Sequence, residues 1–191
     1  MPPKVKFSRE DIVRAALDVI RDTGVFSLNA RDIARKLQCS TQPIFSNYAT
    51  MEALRADVIS AAKAHYEMFM KENTQRTDVP LYKANGLAYI EYAKKEKGLF
   101  KLLFMRDRSE EQIADARDEA ADLVALISRT VGIDAERAYW FHLEMWLYVH
   151  GIAVMAATSY LNWESDRIDK MLTDMFTGLS MRYQAERKGS V

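Results

Sequence analysis

The chain has 191 residues, enough for one large domain or two small ones, and its 27 Lys and Arg balance its 27 Asp and Glu, so no whole-chain field marks it for a polyanion. Seven Gly and four Pro leave few turns, which argues against a many-stranded sandwich or barrel, and 49% hydrophobic residues with 28% charged exclude a disordered chain. The one cysteine, Cys39, excludes an internal disulfide, and the start Met1-Pro2-Pro3-Lys4 has no apolar run of a signal peptide, so a reduced, cytoplasmic protein is expected.

The first element is a helix in which Ile12, Ala15, Ala16, Val19 and Ile20 share one face and Arg9, Arg14, Asp18 and Arg21 take the other. Ser8 with Asp11 three residues on reads as its N-cap, and Thr23-Gly24 ends it. A second short helix follows Asn29, with Ile33, Ala34 and Leu37 inward and Arg31, Arg35 and Lys36 elsewhere, and stops near Gln38-Cys39. Ser40 reads as the cap of a third helix that tolerates Pro43 in its first turn. It is barely two turns long, with Ile44, Phe45 and Tyr48 expected inside and Thr41, Gln42, Ser46 and Asn47 outside.

A fourth helix runs from Thr50 to about Asn73, long enough to connect two bodies. Beyond Asp78-Val79-Pro80 the periodicity predicts helices at about 81 to 96, 98 to 106, 110 to 131, 135 to 161 and 165 to 186, with no strand-like alternation. The stretch Ala138 to Leu161 is long and apolar enough to test against a membrane, but it contains His142, Glu144 and His150, so a core or dimer helix is the reading. The last helix carries Ile168, Met171, Leu172, Met175, Phe176, Leu179 and Tyr183 in one broad stripe. The zero net charge conceals an asymmetry: residues 1 to 55 carry +3 and the remainder −3, a modestly basic head on an acidic body.

Three short helices in the first fifty residues, the second and third joined by the tight Gln38-Cys39-Ser40 connection, have helix-turn-helix spacing. Within them, the run Ile33-Ala34-Arg35-Lys36-Leu37-Gln38-Cys39-Ser40-Thr41-Gln42-Pro43-Ile44-Phe45-Ser46-Asn47-Tyr48, followed by Met51-Glu52-Ala53-Leu54, resembles the DNA-binding head of the tetracycline-repressor family. The resemblance is close over about Phe7 to Val58. Trp146-Leu-Tyr-Val-His150-Gly151 looks like the Trp…His-Gly signature of one branch of that family.

The resemblance implies an all-α protein with a DNA-binding head at 1–50 and a helical effector-binding and dimerisation domain at 51–191. It implies a homodimer formed chiefly by the last two long helices, for which Met171, Met175, Leu179 and Tyr183 on the last helix are the expected contacts. Seated in the major groove, the third helix presents Thr41, Gln42, Pro43, Ser46 and Asn47 to base edges, with Arg31 in reach of a guanine or phosphate and Lys4 and Lys6 holding phosphates. Many relatives carry Tyr and Lys, commonly phosphate contacts, where this chain has Phe45 and Met51, so Arg55 and the N-terminal arm are the candidate substitutes.

The body is rich in methionine and aromatic residues, which suits an adaptable apolar cavity for a bulky effector or, equally, plain core packing. Tyr89, Phe104, Met105, Trp140, Glu144 and Tyr148 are the candidate effector contacts. Glu144 is the polar oddity of an apolar helix: it meets a ligand, faces solvent or pairs with Tyr148 one turn on. His142, Trp146 and His150 recur every four residues and share a face, as buried core or as a ligand-reading stripe. Catalytic patterns are missing, with no His-Glu-x-x-His, no Gly-rich phosphate loop and no Gly-x-Ser-x-Gly elbow, so neither an enzyme nor a cofactor or metal is expected. The function that the resemblance implies is transcriptional repression from a near-palindromic operator, released by a small, largely apolar effector, with a helical protein-interaction adaptor as the alternative.

Overall fold

A computed structural model describes residues 7–24, 28–75, 78–107, 120–161 and 163–188. Among them every regular element is helical: α1 (Arg9–Thr23), α2 (Ala30–Lys36), α3 (Gln42–Asn47), α4 (Met51–Asn73), α5 (Leu81–Lys95), α6 (Lys97–Phe104), α7 (Ala121–Ile127), α8 (Ala135–Ala157) and α9 (Ser165–Lys188). Two compact units result, one from the described residues up to Phe69 with Lys95–Asp107, the other from Met70–Lys94 with those beyond 119. The first unit therefore reaches past residue 50 to include α4 as far as Phe69 and, from later in the chain, α6.

The first unit is built on α1. Ser8 Oγ accepts from the Asp11 N–H at 3.1 Å while Asp11 Oδ2 accepts from the Ser8 N–H at 2.9 Å, closing a capping box. At the other end Gly24 takes φ +85°, a conformation only glycine adopts without strain. The apolar face expected for α1 is buried, with Ile12, Ala16 and Ile20 fully so, together with Ile33, Ile44, Leu54, Val58, Leu99 and Phe100 from the other helices of the unit. Arg21 grips Glu96, the residue before α6, through Nε at 2.9 Å and Nη2 at 3.3 Å. Beside it Gly98 lies so close to α1 that a methyl built on it would collide with the Ile20 carbonyl oxygen.

In the second unit α5 is tied to α8 by two tyrosine–histidine hydrogen bonds two helical turns apart. Tyr82 shares one with His142 Nδ1 at 3.0 Å, and Tyr89 another with His150 Nδ1 at 2.9 Å. Phe141 and Met145 of α8 pack with Leu179 and Tyr183 of α9 and with Ile127 and Val131, and Lys83 pairs with Asp169 at 2.6 Å. The expected helix at 110 to 131 lies outside the described residues up to 119; beyond them α7 continues into a π-helical turn, Ser128–Gly132, closed by Ser128 Oγ donating to the Ile133 carbonyl at 2.6 Å.

Three local expectations are corrected. Thr41, not Ser40, occupies the N-cap position of α3, and it caps with no side-chain bond. α8 stops at Ala157, not 161, because Ser159 turns left-handed at φ +58° and the Tyr160 and Ser159 N–H groups donate back to Met155 and Ala156, a Schellman end made without glycine. Phe45, expected inside, is 53% exposed. No helix among the described residues is long and apolar enough to cross a membrane.

Gly98→Ala should lower the melting temperature by several degrees, since overpacking against a fixed backbone oxygen costs about 1–3 kcal/mol. A second expectation concerns acid. Burial lowers the pKa of His142 and His150 below the usual histidine value, so folding favours the neutral form of both rings. The unfolded rings protonate near pH 6.5, so the stability held by the neutral rings is present above that value and is lost as pH falls through the lowered folded values. Melts taken from about pH 8 down to 5 should show this loss, and replacing both histidines by glutamine should flatten it.

Candidate nucleic-acid interface

α2 starts at Asn29, whose side chain accepts from the Arg31 and Asp32 N–H groups, both at 3.0 Å. It ends in another Schellman motif, with Cys39 N–H donating to the Ala34 carbonyl at 3.0 Å and Gln38 N–H to Arg35 at 3.1 Å. Gln38 supplies the left-handed residue at φ +53°, a position that usually takes glycine. This turn delivers the chain to α3, whose six residues are too few to be helical in isolation.

Packing and a set of polar contacts hold α3 in place. Ile44 is fully buried and Tyr48, just past the helix, is 2% exposed. The Tyr48 hydroxyl donates to Asp57 Oδ2 of α4 at 2.8 Å; burial first, and the Asp57 carboxylate second, push the phenol up to about 12. Arg9 of α1 lies over the Tyr48 ring at 4.8 Å from its centroid and donates through Nη2 to the Asn47 carbonyl at 2.9 Å. Asn47 Nδ2 donates to the Pro43 carbonyl at 2.8 Å and the Phe7 carbonyl at 3.3 Å. α3 is thus fastened to both α1 and α4.

The outward face of α3 is made by Gln42, Phe45 and Ser46, all exposed and within about a third of the helical circumference. Thr41 and Pro43 are half-buried at its start. Ser46 donates its hydroxyl to the Gln42 carbonyl at 2.9 Å, and Asn47 is half-buried with its amide nitrogen turned inward, so Gln42 alone keeps its side-chain amide outside any hydrogen bond among the described residues. Arg31 is exposed, and its guanidinium forms no ion pair among the described residues, whereas Arg35 pairs with Asp32 and Lys36 with Asp22. Lys4 and Lys6 lie outside the described residues. Sequence periodicity missed Arg9 and Asp57 as the supports of α3, because a cation over a ring and a carboxylate on a phenol leave no periodic trace.

The candidate effector residues divide between the two units. Phe104 and Met105 belong to the first unit, where Phe104 meets Tyr66 edge-on at 5.2 Å and Met105 is exposed. In the second unit Tyr89 is buried against His150, Trp140 is exposed and donates to Glu136 at 3.0 Å, and Tyr148 is half-buried. Glu144 pairs not with Tyr148 but with α9: it accepts from Arg182 at 2.9 Å and Tyr183 at 3.2 Å. Two clefts open on this unit, one of about 500 Å³ along α7 and the start of α8, the other of about 280 Å³ bordered by Asn73, Leu87, Glu91, Lys94 and Ile168. None of the six lines either cleft. Of the expected dimer contacts, Leu179 and Tyr183 are buried in the core of their own chain, Met175 packs against that core and Met171 is half-buried.

A family model for the C-terminal domain of tetracyclin repressor-like proteins matches residues 82–179, more than half of the chain. The chain belongs to the tetracycline-repressor-like family. An uncharacterised HTH-type transcriptional regulator of Mycobacterium tuberculosis (strain ATCC 25618 / H37Rv) is 28% identical over 179 residues, which cover 92% of this chain and 81% of that one. A TetR-like transcriptional regulator from Rhodococcus sp. RHA1 has the same fold at 14% identity, with a TM-score of 0.64 over 97% of this chain and 98% of its own. Proteins of the tetracycline-repressor-like family are DNA-binding regulators of transcription and not enzymes, which sets aside the catalytic reading.

Proposed function

We propose that this regulator is a cytoplasmic homodimeric repressor whose two heads bind successive major grooves of a near-palindromic operator and leave it when a small, largely apolar effector occupies the body. The observation that carries the reading is α3 itself, a helix too short to persist alone, braced from behind by Tyr48, Arg9 and Asp57 and left with its outer face unpacked. Gln42 is the main polar reader, suited to the N6/N7 edge of an adenine, with Thr41, Pro43, Ser46 and the remaining acceptor of Asn47 as close neighbours. Arg31, Lys4 and Lys6 set register on phosphates.

The effector is assigned to the second unit. Support comes from the smaller cleft, where Leu87, Ile90 and Ile168 give an apolar floor and Asn73, Glu91 and Lys94 a polar rim. We place the chain in the family branch with the Trp…His-Gly motif because Trp146 stacks on His150 at 5.0 Å and 14° immediately before Gly151. For the homodimer, support comes from the faces of α8 and α9 that their own protomer leaves open. Trp140 and Leu147 stand two turns apart on α8, and Met181 on α9 follows Gly178, where an added methyl would meet open space.

Selection of random duplexes by the full-length protein, then titration of the enriched sequence against salt, tests the reading. The expected result is a two-fold symmetric motif whose affinity falls steeply as salt rises. Gln42→Ala should weaken binding about tenfold or more and relax one position per half-site, whereas Arg31→Ala should weaken all sequences alike. No enrichment, with no binding even at low salt, would overturn the repressor and leave the adaptor.

Sedimentation equilibrium tests the dimer. The wild type should have twice the 21.9 kDa chain mass, and Leu147→Glu with Met181→Glu should bring it to the mass of one chain without loss of helicity. A double variant that stays dimeric would move the interface elsewhere.

A further inference from the structure

Phe45 is the one large apolar side chain on the outer face of α3, and it is 53% exposed although Ile44 beside it is fully buried. It is not part of the support of the helix, which Ile44, Tyr48, Arg9 and Asp57 provide. It stands one turn beyond Gln42 and beside Ser46, between the residues that the proposed function turns towards base edges. Two of the polar neighbours spend donors internally, Ser46 on the Gln42 carbonyl and Asn47 on the Pro43 and Phe7 carbonyls. The outer face is therefore an amide and a phenyl ring, with little other reading chemistry.

A phenyl ring offers a base edge no hydrogen bond. In the major groove the apolar group it can meet is the C5 methyl of thymine. That contact removes both the methyl and the exposed ring from water, and it needs no hydroxyl at position 45. We infer that Phe45 is a specificity-determining residue that reads a thymine methyl in each half-site, next to the base read by Gln42. The inference rests on the DNA-reading function proposed above. It gives Phe45 a role that the phosphate contact implied for a tyrosine at this position does not describe: the ring confers sequence preference and adds nothing to the salt dependence.

The test uses the full-length protein and the duplex obtained by selection, with each thymine in turn replaced by deoxyuridine, which removes the methyl and leaves base pairing intact. At fixed salt one symmetric pair of thymines should lose about fourfold in affinity per methyl. Phe45→Ala should bind the thymine duplex about as weakly as the wild type binds its uracil version, and should no longer distinguish the two at that pair. Its salt slope should equal that of the wild type. Equal melting temperatures will show that the variant folds, and the uracil scan on the wild type needs no variant. A methyl effect that survives in Phe45→Ala assigns the methyl to another residue and overturns the inference. So does a selected site with no methyl-sensitive thymine. A wild type that enriches no sequence instead fails the DNA-reading function beneath it, an outcome distinct from both.

Discussion

The first unit depends on how a six-residue helix is kept helical. Such a segment pays the cost of nucleation and gains almost nothing from propagation, so α3 exists only because its neighbours hold it. Ile44 and Tyr48 supply burial, and the Tyr48 phenol supplies direction, since its bond to Asp57 fixes the end of α3 against α4. Arg9 then closes the arrangement from the α1 side, lying on the ring and bonding the Asn47 carbonyl that the helix end leaves without an intrahelical partner. Every group spent on this fastening is withdrawn from the outer face. The amide nitrogen of Asn47 is the clearest case, because it sits on the helix expected to read DNA and yet bonds only its own unit.

The second unit solves a different problem, the pairing of two helices through an apolar interior that nevertheless contains histidines. Each ring is met by a phenol from α5, so that a group expensive to bury receives a partner, and the two bonds, two turns apart, fix the register of α5 on α8. Glu144 is answered in the same way by Arg182 and Tyr183, which fixes α9 on the opposite flank. Polar pairs thus set register, while Phe141, Met145, Leu179 and Tyr183 supply the burial.

Much of this was legible in the sequence because it is periodic or capped. The α1 capping box, the Asn29 cap, the Gly24 stop and the long apolar stripes of α8 and α9 are all local signals, and the structure places them where the spacing does. What was not legible has physical reasons. Gln38 and Ser159 take the left-handed position that glycine usually marks, so the end of α8 carries no glycine signal. Phe45 is a hydrophobic residue in a two-turn helix, and composition assigned it to the core although its angular position puts it outside. The α9 stripe shows that a helix has an apolar face but not what covers it. Leu179 and Tyr183 pack within their own chain, whereas Leu147 and Met181 are exposed.

The charge distribution constrains how such a protein can hold DNA. Of the nine basic groups in the first 55 residues, Arg21, Arg35 and Lys36 are paired with carboxylates and Arg9 is bound to α3, while Arg14, Arg31 and Arg55 enter no ion pair among the described residues, which do not include Lys4 and Lys6. Exposed pairs of this kind are weak and can open, but each cation that leaves its carboxylate for a phosphate exposes that carboxylate to the same phosphate field. Counterion release by a head of this kind comes first from the cations outside such pairs. In the proposed dimer, two heads on one operator would share a single loss of translational freedom, and the second would act at a high effective concentration. On the function proposed here, apolar contacts would then serve twice: on α8 and α9 to join two protomers, and on α3 to tell one base pair from another.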